Sequence, residues 1–174
     1  MASALVVGGR SPMTLHDFNA AEPAVARELL GSCLDIARWV REVEQRRPYP
    51  DGDSLRRVAS ASSAEITWAE LAGALARHPR IGERAPGPRA DAALSASEQA
   101  GATPTDETVL AAGNAAYEQR FGYIFLICAT GLTGAQMLAE LRDRLTHTDS
   151  EERPVVMDEL RKIAALRLDK AVMP

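Results

Sequence analysis

Apolar side chains recur along this chain at intervals of three and four residues and seldom alternate, the pattern of amphipathic helices. SPMTLHDFNAA reads as an entry segment anchored by Leu15 and Phe18. From Pro23 to about Arg46, Leu29, Leu30, Leu34, Ile36, Ala37 and Val40 mark one apolar face, and Gly31 is the expected break into two helices. RRPYPDGD is a turn, because Pro48, Pro50 and Gly52 oppose helix continuation. Asp53 is the expected cap of the next helix, through about Ser60. Thr67 and Glu70 form a capping box that opens a helix with Leu71, Ala72 and Leu75 inward. That helix is expected to stop near His78, since Pro79 drives the residue before it out of the α region.

Residues 80–93 read as a long loop, a place where function often resides. Ser95 and Glu98 form a second capping box, opening a short helix that ends at Gly101. Thr105 starts a helix carrying Val109, Ala112, Ala116 and Tyr117. The most apolar stretch, FGYIFLICATG, is bracketed by Gly122 and Gly131; its composition suits a strand, but its helical neighbours favour a buried helix. Thr133 begins a helix through Leu145, and the last helix is expected from about Arg153 to Leu168. With no repeat, heptad array or low-complexity segment, the expected architecture is all-α: a single compact multi-helix domain over residues 13–174, behind a flexible tail at 1–12.

Composition narrows the function classes. A chain of 174 residues buries a sizeable core without staples. The net charge of −4, with basic residues interspersed among acids as in DELRK, argues against a nucleic-acid surface. No apolar run approaches the roughly 20 residues of a membrane span, so no membrane partner is expected. Cys33 and Cys128 form neither a CxxC pair nor a disulfide framework, and both read as packing in apolar helical stretches of a cytoplasmic protein. The N-terminal stretch does not resemble a secretory signal, nor the C-terminal AVMP a peroxisomal tripeptide, which adds to the cytoplasmic expectation.

Three residues are out of place. Arg167 falls in one narrow stripe with Val156, Leu160 and Ile163, facing a core. It is either a structural salt bridge, a snorkelling side chain near a helix end, or a clamp for a substrate carboxylate. His78 is held at a helix end beside the long loop, where it serves as a C-cap or as a group that keeps and delivers a proton. Glu98 has a sufficient structural role in its capping box, yet the same helix start offers N–H groups to an anion. His16 and His147 read as caps or solvated side chains. Three scattered histidines give no metal-ligand pattern, and no metal is expected.

HPRIGE at 78–83, SASEQAG at 95–101, NAAYEQRFGYIFLICATG at 114–131 and ELRKIAALRL at 159–168 together resemble one family, the 2-oxo-4-hydroxy-4-carboxy-5-ureidoimidazoline (OHCU) decarboxylases of urate breakdown. LHDFNAA and the stretch LGSCLDIARWVREVEQRRPYPD fit its looser N-terminal pattern. The resemblance implies decarboxylation to S-allantoin, with no cofactor, a ureidoimidazoline as small-molecule partner and a homodimer. It makes His78 the catalytic histidine, Pro79 its shaping neighbour and Glu98 the essential carboxylate. Ser95, Ala96, Ser97, Glu98 and Gln99 would line the substrate. The backbone of Phe125, Leu126, Ile127, Cys128 and Ala129 would bond its ureido group, and Arg167 would hold a substrate anion. His147 stands where family members often have Asn and is taken as a cap variant; residues 84–94 carry no assignment. Two other functions fit the residues alone: a cofactor-free hydrolase or isomerase of another ureido compound, and a helical protein-interaction module.

Overall fold

Eight helices and one short pair of parallel strands make up residues 12–75 and 104–173, the part that the computed structural model describes. In chain order they are β1 (Met13–Thr14), α1 (Leu15–Ala20), α2 (Pro23–Cys33), α3 (Ala37–Gln45), α4 (Gly52–Ala64), α5 (Trp68–Leu75), α6 (Pro104–Phe121), α7 (Gly134–Arg144), α8 (Asp149–Ala171) and β2 (Val172–Met173). The all-α expectation holds. β1 pairs with β2 in register Met13↔Val172, which ties the start of the described chain to its end. The tail expected at 1–12, apart from Pro12, lies outside the described residues, and among these no helix is long and apolar enough to cross a membrane.

The helix α8 organises the core. Its buried Val156, Leu160, Ile163, Ala164 and Leu168 meet Phe18, Leu30, Trp39, Leu55 and Leu71 from α1 to α5. A second cluster joins Leu110 and Tyr117 of α6 to Met137 and Leu141 of α7, with Phe125, Ile127 and Ala129 between them. Gly113 lets Leu141 lie against the α6 backbone, where any β-carbon would clash.

Local signals set most helix starts. Thr67 and Glu70 close their capping box, Thr67 N–H donating to Glu70 at 2.9 Å and Glu70 N–H to Thr67 at 3.3 Å. Thr133 does the same with Gln136. Elsewhere the boundaries differ from expectation. The α2–α3 break falls at Leu34–Ile36, not at Gly31, because extended backbone there sinks Leu34 and Ile36 into the core. That gain outweighs the roughly 1 kcal/mol cost of a helical glycine. Asp51, not Asp53, caps α4, accepting Ser54 N–H at 2.6 Å, while Asp53 pairs with Arg56; the helix then runs to Ala64, past Ser60. The last helix begins at Asp149 and ends at Ala171, because Thr148 and Glu151 form a reciprocal cap ahead of Arg153 and leave Pro154 inside. Ala37 and Ala72 are exposed, with Trp39 and Ala74 taking the inward places.

FGYIFLICATG is neither strand nor buried helix. Gly122, at φ +78°, ends α6 by donating its N–H to Glu118 O at 2.8 Å, and Gly131, at φ +82°, turns the chain toward α7. Residues 122–131 between them run without regular structure although Phe125, Leu126, Ile127 and Ala129 are buried. Such a segment must find side-chain partners for its peptide groups, and these lie at the site described next.

Candidate active site

Arg167 is 2% exposed on the inner face of α8, in line with Leu160 and Ile163. The snorkelling reading therefore fails, since it would leave the guanidinium in water. The charge is felt across the interface by Cys33 of α2: burial pushes that thiol up to about 12, and Arg167 pulls against the rise. A guanidinium at this depth is stable only among acceptors or anions.

The irregular segment beside it is clamped by two charged side chains. Arg144, from the end of α7, donates Nη1–H to the carbonyl of Leu126 at 2.7 Å. Glu159, on α8, accepts the N–H of Cys128 at 2.7 Å. The Ala129 carbonyl takes Leu132 N–H at 3.0 Å. Among the described residues nothing takes the N–H or the carbonyl of Ile127, although the residue is buried. Of the five residues expected to meet a ureido group, Leu126 and Cys128 thus each have at least one peptide group committed to the protein, and among the described residues Ile127 keeps both of its own.

Arg144 is itself held by a buried carboxylate. Glu152 Oε1 accepts Arg144 Nε–H at 2.7 Å and the phenol of Tyr117, while its Oε2 bonds the His147 ring at Nδ1, 2.7 Å away. The Arg144 guanidinium also lies 4.6 Å from the Phe125 ring centroid. Burial, reinforced by Glu152, drives the Tyr117 phenol well above its usual range, so it stays a proton donor to the carboxylate. His147 is therefore not simply a cap. Its backbone N–H closes a turn on Arg144 O at 3.2 Å, but its ring serves the buried carboxylate.

His78, Pro79, Ser95, Ala96, Ser97, Glu98 and Gln99 lie outside the described residues. Those described are Arg167 and Phe125 to Ala129, with Cys128 half-buried rather than fully packed. Arg144, Glu152 and Glu159 were not expected from the sequence. The signal for Arg144 was present, since it continues the stripe of Met137 and Leu141 as Arg167 continues that of Leu160 and Ile163. A cleft of about 310 Å³ between α4 and α8, edged by Ser60, Ser63, Asp158 and Arg161, contains none of the expected site residues.

A model of the OHCU decarboxylase family matches residues 19–169. The chain belongs to that family. The 2-oxo-4-hydroxy-4-carboxy-5-ureidoimidazoline decarboxylase of Halalkalicoccus jeotgali is 23% identical over 93% of either chain. The uric acid degradation bifunctional protein TTL of Arabidopsis thaliana is 28% identical over 79% of this chain, which spans only 44% of that relative's length. A crystal structure of OHCU decarboxylase in the presence of (S)-allantoin superposes with a TM-score of 0.70 at 24% identity, covering 82% of this chain and 96% of the other. One of (S)-allantoin synthase gives 0.69 at 19% identity, over 93% of this chain and 54% of its own. At these identities the structural likeness establishes the fold, and the matched family carries the classification.

Proposed function

We propose that this protein is a carboxy-lyase that converts OHCU to S-allantoin in urate degradation, without a cofactor. The observation that carries the reading is a guanidinium buried on the inner face of α8, in a chain matched by the OHCU decarboxylase family along most of its length. A substrate carboxylate is an anion that such a group is shaped to hold. The N–H and carbonyl of Ile127, unclaimed among the described residues, complement a ureido group, which both accepts and donates.

The substrate supplies its own electron sink. As CO2 leaves the hydroxyl-bearing ring carbon, the electron pair of the broken bond forms a double bond to the neighbouring carbon. The adjacent C=N pair then moves onto nitrogen, which takes a proton. Loss of the hydroxyl proton and delivery of a proton to one face of the neighbouring carbon complete allantoin. His78 is the general acid/base, and Glu98 orients it or binds the hydroxyl. Pro79 shapes the pocket, and residues 95–99 line the substrate. Arg167 holds the anion so that the breaking bond stands out of the ring plane. The reading includes a homodimer, implied by the family resemblance, and a cytoplasmic location, in keeping with two free cysteines.

Purified protein given freshly generated substrate should yield one enantiomer of allantoin, followed by circular dichroism. Racemic product at the uncatalysed rate refutes the proposal, and a different product reassigns the pocket to another ureido compound. His78→Ala should abolish turnover while leaving the helical spectrum intact; retained turnover removes His78 from the chemistry.

A further inference from the structure

We infer that Glu159 is a positioning residue, which with Arg144 sets the peptide groups of Ile127 toward the ureido end of the ligand; this rests on the decarboxylase reading. Residues 125–129 have no helix or sheet ladder to fix them, so their orientation is set by whatever holds their peptide groups. Two such holds involve charged side chains and fall on either side of Ile127: Arg144 on the Leu126 carbonyl and Glu159 on the Cys128 N–H. A carboxylate accepting a backbone N–H at 2.7 Å is a short, charge-assisted bond, stronger than a neutral one. It therefore fixes the peptide plane that begins at the Ile127 carbonyl.

Glu159 also shares a rigid element with Arg167. Eight residues separate them on α8, a rise of about 12 Å. The same helix thereby sets the arginine proposed for the carboxylate and the backbone proposed for the ureido group, and so the span of ligand that both can grip. The other oxygen of Glu159 meets Lys162 Nζ at 2.9 Å. That lysine is half exposed and is shared with Asp158 at 2.8 Å, so the pair is a surface ion pair of small worth and the hold on Cys128 rests on Oε2.

The test compares Glu159→Ala, Glu159→Gln and Lys162→Ala with the wild type. Glu159→Ala should raise KM for the substrate and Kd for (S)-allantoin by about tenfold to a hundredfold, with a smaller change in kcat. Glu159→Gln should recover most of the loss, because an amide oxygen still accepts the Cys128 N–H. In 15N-labelled protein the Cys128 amide proton should move upfield in the alanine variant and stay near its place in the glutamine variant. Lys162→Ala should leave all three readouts nearly unchanged. Should Glu159→Ala not fold, Glu159→Asp withdraws the carboxylate by one methylene and should give the same rise in KM. Wild-type KM and Kd in Glu159→Ala or Glu159→Asp, or a Cys128 amide unmoved in the alanine variant, overturns the inference while stereospecific turnover by the wild type keeps the functional reading. Racemic product from the wild type refutes that reading itself, and the role given to Glu159 with it.

Discussion

Replacing Glu152 by glutamine isolates one physical quantity, the charge that balances Arg144. Glu152 has no exposed surface, and the guanidinium facing it at 2.6 Å is almost as deep. Glutamine has the same shape. Its amide oxygen can take the place of Oε1, accepting from Arg144 and Tyr117, while its NH2 donates to His147 Nδ1 in the tautomer protonated at Nε2. The hydrogen-bond count is then preserved, and what disappears is the negative charge. Leaving one member of a buried pair without its counter-charge costs about 3–5 kcal/mol. The Leu126 carbonyl and the Phe125 ring still face the guanidinium and soften the loss, so the lower end, about 3 kcal/mol, is expected.

For a chain of this length that is a fall in Tm on the order of 6–12 °C. Urea unfolding of Glu152→Gln, Arg144→Met and the double variant closes a cycle. The double variant should be more stable than the sum of the two losses by at least about 2 kcal/mol, because a neutral pair has no charge to strand. A loss under about 1 kcal/mol for Glu152→Gln, or additivity around the cycle, would refute the claim that charge balance holds this corner of the molecule.

Arg167→Met keeps the aliphatic stem and deletes the guanidinium, and steady-state kinetics should show kcat/KM lower by about a hundredfold. Arg167→Lys should not restore it, since a point charge lacks the planar fork; unchanged kcat/KM in either variant removes Arg167 as the substrate's anchor. Glu70 gives a pH signature. The Arg38 guanidinium, 2.9 Å away at Nε, and the Thr67 N–H together hold its carboxyl down at about 2. A folded value below the unfolded one contributes stability above about pH 4.3, which is lost as pH falls toward 2. The advantage of wild type over Glu70→Gln, on the order of 1 kcal/mol at about pH 6 after allowance for solvent screening, should vanish by about pH 2 in urea titrations. A pH-independent difference would show that the ion pair does not carry it.

The parts of this structure that could be read from sequence are those decided within one or two helical turns. Thr67 with Glu70 and Thr133 with Gln136 are such cases, and so is Arg167, placed in the core by the helical period alone. Glu152 is hidden for a correspondingly local reason: an α8 begun at Arg153 excludes it, although it stands four residues before Val156 in the same buried stripe. The segment at 122–131 fails differently. A buried helix, strand or irregular stretch has much the same composition, and the deciding partners, Arg144 and Glu159, are 18 and 31 residues away from the groups they bind. For His78 and Glu98 each residue has a sufficient structural role alone, so only the resemblance lifts them into the site.

The irregular backbone has a functional logic once its partners are known. In a helix or sheet, the peptide groups of residues 125–129 would be consumed by neighbouring backbone, and a buried ligand would find none to bind. An open segment frees them but strands them in an apolar core, which is costly unless other groups take up those the ligand does not need. Arg144 and Glu159 do this selectively, occupying a carbonyl and an N–H on either side of one residue. Arg144 in turn needs a buried anion, and α8 supplies it at Glu152, fifteen residues or about 22 Å before Arg167. One helix thus carries Glu152, Glu159 and Arg167 inward along its length. On the proposed reading the charges at its two ends are not independent features: the first holds in place the backbone proposed to share a ligand with the last.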